Sequence, residues 1–284
     1  MPTNAGASSN RKQTLKDVAQ ETVEAIPQIL TLTGAPDTGY ICLPDRYTPL
    51  SSRFFPDLRA QVQVINGDSF DVAVNLHNAQ TTNNGHTKPV CVLNLASEST
   101  RGGGFLSGAM AQEEALCYRS TLYKTLKKQF YPLRMREAIY SPVVVIFREN
   151  YNNNYRMMDL IQPQLLPIVS VVSVAAIRRP KLDDRTNPST YADPEDRQWM
   201  KEKMRVTLRV CVHNKHRDLV LGALGCGAFG NPPHEVADCW VEVLEEQEFR
   251  GWFSNIVFAV MSGRSLQGYD NFQVFHSKLH GLRV

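Results

Sequence analysis

The sequence predicts an α/β protein with a mixed, largely parallel central sheet and helices on both faces. Three observations carry that expectation. Short runs rich in Val and Ile recur along the chain. Between most of them lie stretches whose apolar residues repeat every three or four positions. Two glycine-rich segments each follow one of the apolar runs, beyond the carboxyl ends of strands, where such sheets bind ligands.

Residues 1–10 are polar and small and read as disordered. From 11 to about 30, Leu15, Val18, Ala19, Val23 and Ile26 share one face of a helix. Residues 31–60 hold Gly34, Pro36, Gly39, Pro44, Pro49 and Pro56, which predict an irregular connector. Strand and helix then alternate. Strands are expected at 61–65, 90–95, 139–147, 168–176, 219–224 and 256–261, and helices at 69–78, 112–130, 195–213 and 234–248. Residues 178–193 read as a polar loop. The division implied is an accessory helix and connector over 1–60 and a catalytic domain over 61–284.

Bulk properties narrow the function only by exclusion. A hydrophobic fraction of 43% and a charged fraction of 21% are those of an ordinary globular chain. A net charge of +3 gives no argument for nucleic-acid binding. No apolar run approaches the roughly 18 residues of a membrane helix, and the first ten residues lack a signal-peptide core. No membrane partner is therefore expected, and the predicted location is cytosol or nucleus. The six cysteines form no C-x-x-C pair. Most sit in apolar runs, as in Val90-Cys91-Val92, and read as small buried hydrophobes. No Cys/His cluster has metal-ligand spacing, so no metal and no cofactor is expected.

The first glycine-rich segment is Gly102-Gly103-Gly104-Phe105. Successive glycines lose much backbone entropy on folding and mark an unusual φ/ψ or a close ligand approach. Their N–H groups can face phosphate or ribose oxygens. Seven residues later comes Gln112-Glu113-Glu114, opening the next helix. Consecutive helical side chains point about 100° apart, so two adjacent carboxylates serve different atoms. Taken alone, a Glu pair at a helix start is better read as a solvated first turn favoured by the helix dipole.

The second segment runs Gly225-Cys226-Gly227-Ala228-Phe229-Gly230-Asn231. It matches G-x-G-x-x-G literally, but a dinucleotide site requires a helix at the third glycine and an acid closing the next strand. Pro232-Pro233 delay the helix, and the strand at 256–261 ends in Ser-Gly. The alternative is a phosphate-cradling loop ahead of a helix start. Cys226 has no activating His nearby in sequence and reads as a small residue that fits the loop.

Together, Asn94-Leu95-Ala96-Ser97, the glycine triplet with Phe105, Leu106, Gly108, Ala109 and Ala111, then Gln112-Glu113-Glu114, Leu116, Ser120, Leu122 and Tyr123 resemble the signature of poly(ADP-ribose) glycohydrolases of the bacterial and fungal type. The similarity covers about residues 11–272. It implies a macrodomain-like three-layer α/β/α fold with an N-terminal helical extension. It implies Glu114 as the acid that protonates the leaving ribose oxygen and then activates water, with Glu113 holding ribose hydroxyls. The substrate-binding residues it implies are Asn94, Gly102, Gly103, Gly104, Phe105, Gln112, Gly225, Cys226, Gly227, Ala228, Phe229, Gly230 and Asn231. The implied partners are poly(ADP-ribose) and ADP-ribosylated proteins, with ADP-ribose as product and a monomer as the working unit. A hydrolase of mono-ADP-ribosyl groups and a non-catalytic ADP-ribose reader are the competing classes, separable by the products released from a pure chain.

Overall fold

The computed structural model describes residues 4–81 and 88–284. In order it contains α1 (Asn4–Thr33), β1 (Tyr40–Cys42), β2 (Val62–Ile65), α2 (Ser69–Thr81), β3 (Cys91–Leu95), α3 (Gln112–Arg119), α4 (Leu122–Thr125), β4 (Ala138–Val145), β5 (Ile168–Val174), β6 (Leu182–Asp183), β7 (Thr190–Tyr191), α5 (Pro194–His213), β8 (Asp218–Leu221), α6 (Pro233–Glu245), β9 (Asn255–Ala259) and α7 (Asn271–Leu279). The main sheet has strand order β1-β4-β5-β3-β8-β9-β2. Only β4 runs against its neighbours.

The period-2 alternation of the strands sorts their side chains into two cores. Cys91, Leu93, Leu219, Leu221, Ile256 and Phe258 pack against α5, α6 and α7 through residues such as Met204, Trp240 and Phe275. Val92, Val171, Val220 and Val257 pack on the opposite face against Leu15, Phe70, Leu116 and Leu122. This is the expected three-layer mixed α/β arrangement. On α1, Leu15 and Ala19 join the second core. Ile26 and Ile29 close over Val145, Phe147 and Leu166. Burying each large aliphatic side chain contributes about 2 kcal/mol, and Thr22 Oγ1 adds a hydrogen bond to the Tyr118 carbonyl, 3.0 Å away.

Several elements differ from the sequence expectation. Among the described residues the first helix starts at Asn4, so residues 4–10 continue it; residues 1–3 lie outside the described chain. The connector contributes β1, which pairs Tyr40, Ile41 and Cys42 with Tyr140, Ile139 and Ala138. The helix expected over 112–130 breaks at Ser120, which is extended at φ −150 and ψ 178 and bridges to Ile146. Its Oγ accepts from the Leu122 N–H at 3.2 Å. The loop at 178–193 contains the small β6–β7 hairpin. α7 was not expected, although Asp270 accepts from the Gln273 N–H as an N-cap and Phe275 and Leu279 recur at helical spacing.

One buried cation ties α2, α3 and the end of β4 together. Arg119 is 2% exposed. Its guanidinium donates to Asp68 Oδ1, to Asp71 Oδ1 at 2.6 Å and to the Arg148 carbonyl at 3.3 Å. Asp68 Oδ1 also accepts the Phe70 and Asp71 amides at 2.8 and 3.2 Å, capping α2. Burial raises the Asp68 carboxyl above its ordinary range, and the Arg119 charge works against that shift.

Candidate active site

The site forms where two neighbouring strands part. β3 pairs with β5 along all five of its residues but with β8 only at Cys91 and Val92. The chain leaving β3 goes on to β4 and β5 on one side of the sheet. The chain leaving β8 goes on to β9 on the other. This is the switch point at which such sheets open a crevice. Gln112 satisfies the backbone that β8 abandons: its Oε1 accepts the Leu95 N–H at 2.9 Å, and its Nε2 donates to the Leu93 carbonyl at 2.8 Å. Gln112 Nε2 also reaches Ser69 Oγ at 3.1 Å.

The two glutamates that follow diverge as helical geometry requires. Glu113 turns toward the sheet. Its Oε2 accepts the Ser97 N–H at 2.7 Å and its Oε1 lies 3.3 Å from Asn94 Nδ2. Glu114 turns toward the glycine loop. Its Oε1 accepts the Gly104 N–H at 2.8 Å and its Oε2 the Ala111 N–H at 2.9 Å. Both are buried, 3% and 7% exposed, so the solvated-first-turn reading fails.

The glycine triplet is dictated by these carboxylates. Gly103 has φ +55, and a Cβ there would lie 2.5 Å from Glu114 Oε1 and 3.0 Å from Glu113 Oε2. Any other residue would both strain the backbone and push the acids out of place.

Burial pushes the Glu113 carboxyl up to about 8, with the Ser97 amide and Asn94 opposing and the Glu114 charge adding to the rise. The folded value lies above the unfolded one of 4.5. Below about 4.5 both states are protonated and nothing is lost. Between 4.5 and 8 the unfolded chain releases a proton that the folded one keeps, so stability falls as pH rises through that window. Glu113→Gln is expected to raise the melting temperature relative to wild type at pH 8 but much less at pH 4.5. A pH-independent offset in melting scans would contradict this.

Across the crevice, the second loop is fixed by Asn231. Its Nδ2 donates to the Ile177 and Gly225 carbonyls at 2.7 and 3.2 Å, and its Oδ1 accepts from the Tyr191 hydroxyl at 2.9 Å. Gly225, at φ +78, sits so close that a Cβ would meet Asn231 Nδ2 at 2.4 Å. The turn satisfies the amides of Cys226, Gly230 and Asn231 internally. Among the described residues, those of Gly227, Ala228 and Phe229 have no acceptor. Three successive free N–H groups ahead of α6 make a concavity suited to an anion.

The structure redistributes the expected site residues. Gly102, Gly103, Gly104, Gln112, Glu113 and Glu114 lie together at the β3 side, and Gly225, Gly227, Ala228, Phe229 and Gly230 at the β8 side. Three of the expected residues turn their side chains into the interior. Phe105 is fully buried and packs its ring 5.0 Å from Tyr118 and 4.8 Å from Tyr123. Asn231 is fully buried and organises the loop from within. Cys226 is likewise buried, with its thiol pushed up by burial, and fills space within the loop as its small size suggests. Asn94, also fully buried, lies beneath the carboxylates and donates to Ser173 Oγ at 3.0 Å. Ser173 and Tyr191 carry no local sequence signal, because each acts on a residue far along the chain; Ser97 stands in the family-like string but was not singled out as a site residue.

A mixed α/β/α sandwich with paired buried glutamates and an amide-lined loop facing each other across a strand switch point belongs to the macrodomain-like class. The particular family follows from the sequence: residues 8–149 match the microbial-type PARG catalytic domain, and the chain belongs to that family. The chain is similar in structure to poly(ADP-ribose) glycohydrolase from Thermomonospora curvata, with 26% identity, a TM-score of 0.75, and coverage of 94% of this chain and 99% of that one. The Thermomonospora enzyme bound to the inhibitor ADP-HPD matches with a TM-score of 0.72, 26% identity and coverage of 93% and 99%. Poly(ADP-ribose) glycohydrolase from Deinococcus radiodurans in complex with ADP-ribose matches with a TM-score of 0.67, 25% identity and coverage of 89% and 97%. No curated protein sequence matches significantly.

Proposed function

We propose that this chain hydrolyses the ribose–ribose O-glycosidic bonds of poly(ADP-ribose) and releases ADP-ribose, with Glu114 as general acid and base. The observation that carries the reading is the placement of two features beyond the carboxyl ends of the neighbouring strands β3 and β8. On one side are a buried carboxylate pair held by backbone amides, and on the other the free amides of 227–229. The ADP-ribose and ADP-HPD complexes of the related enzymes support it.

A diphosphate takes the free amides, and the distal ribose then lies toward α3. Glu114 gives its proton to the departing ribose oxygen as the glycosidic bond breaks. Positive charge develops on the ribose ring. The resulting carboxylate draws a proton from a water that attacks the anomeric carbon. One carboxylate thus serves twice, where most glycosidases divide the work between two. Glu113 receives the ribose hydroxyls. Incubation with purified poly(ADP-ribose) is expected to release free ADP-ribose. Cleavage of mono-ADP-ribosyl protein with an untouched polymer would move the chain to the other hydrolase class.

A further inference from the structure

Three arginines stand outside this machinery, beside the end of the crevice where Glu113 lies. The loop after β3 holds Glu113 through Ser97, and its Glu98 carbonyl accepts the Leu133 N–H at 2.8 Å. Leu133, one residue before Arg134, is thereby laid against the loop that holds Glu113. Arg178, from the loop after β5, reaches the same place, with Nη1 3.9 Å from Glu98 Oε1. Between residues 124 and 136 the sequence holds five basic residues, Lys124, Lys127, Lys128, Arg134 and Arg136, and no acidic one.

The pairing of these cations differs from that on α5, although Arg156 and Glu149, 3.8 Å apart, pair as loosely elsewhere in the chain. On α5, Arg197, Arg205 and Arg209 bind Glu235, Glu242, Glu246 and Glu248 at 2.5–3.0 Å and are half-buried. Such arginines hold helices together. On the rim, Arg134 lies 3.8 Å from Glu137, Arg136 3.6 Å from Glu202 and Arg178 3.9 Å from Glu98. These separations exceed those of charge-assisted hydrogen bonds. In each pair the arginine is the more exposed partner, with side chains 85%, 55% and 59% exposed against 11%, 23% and 41% for the carboxylates. Glu137 and Glu202 lie beneath their arginines, and the Arg136 guanidinium also lies over the Trp199 ring, 5.5 Å from its centroid.

We propose that Arg134, Arg136 and Arg178 form a subsite for the diphosphates of the polymer that extends past the scissile bond. The inference rests on the reading of Glu114 given above. If the bond breaks beside Glu113 and Glu114, the leaving group is the remainder of the chain. That chain carries a diphosphate in every unit and passes over this rim, whereas the released unit lies in the crevice. Guanidinium forks suit that repeating anion, and the steering should weaken with salt.

The test compares two substrates of one anomeric carbon: long poly(ADP-ribose), and ADP-ribose bearing a small uncharged aryl leaving group. Arg134→Gln, Arg136→Gln and Arg178→Gln are combined in one protein, with unchanged melting temperature as the folding control. The triple variant is expected to lose about ten-fold or more in kcat/KM on long chains at low salt, and its salt dependence should flatten by about one power of salt per arginine. Hydrolysis of the aryl substrate should stay within about two-fold. Equal losses on both substrates, or an unchanged salt slope on chains, would overturn the subsite. A wild-type protein that cleaves neither would overturn the functional reading itself.

Discussion

Glu114→Gln is expected to lower kcat on poly(ADP-ribose) by at least about 10²-fold, the usual scale of a positioned acid–base group, while ADP-ribose still binds. The argument rests on what the amide keeps and loses. Its oxygen can still accept the Gly104 N–H that Glu114 Oε1 receives at 2.8 Å, so the glycine loop stays in place. It cannot give a proton to the leaving oxygen or take one from water. Its NH2 group also faces the Ala111 N–H in place of an acceptor. A modest stability loss of about 1 kcal/mol, typical of a lost helix cap, should accompany the change. Turnover by single-turnover kinetics and ADP-ribose affinity by calorimetry separate the two effects. Near-wild-type hydrolysis by this variant would sink the assignment of Glu114.

The second large effect concerns stability. Arg119→Ala should destabilise the fold by about 3 kcal/mol, because removing one partner of a buried ion pair strands the other. Asp68 and Asp71 would both lose their cation. Asp68 would remain pinned under the first turn of α2 by the amides it caps. A drop of about 10 °C in melting temperature is expected for a domain of this size. Since burial already raises the Asp68 carboxyl and Arg119 counters it, the difference from wild type should shrink at low pH, where Asp68 takes up a proton. A melting temperature within about 2 °C of wild type at neutral pH would show that Arg119 does not hold these elements together.

The parts of the site written as short continuous strings were legible in the sequence. Gly102–Gly104 and Gln112–Glu114 sit at a fixed spacing because the loop amides and the helix start share the same carboxylates. The second loop was legible for a similar reason, since its glycines are needed around Asn231. What stayed hidden depends on distant partners. The break at Ser120 has no Gly or Pro to announce it. Local spacing favours a continuing helix, and the bridge to Ile146 overrides it. β1 is three residues long between turn formers and exists only because β4 offers it an edge. Phe105 follows three glycines, where an aromatic residue could stack on a ligand or fill the core. Tyr118 and Tyr123, which decide the matter, come into contact only through the fold.

The parting of β3 from β8 bears on affinity as well as on location. Gln112 hydrogen-bonds the stretch of β3 that β8 leaves, so β3 and β8 stay parted in the unliganded protein without unsatisfied backbone at Leu93 and Leu95. A ligand entering there need not prise a sheet apart or wait for a rare open state. The free energy of making room is already included in the stability of the folded chain, and the gross attraction of the loops for the ligand carries over more fully into binding.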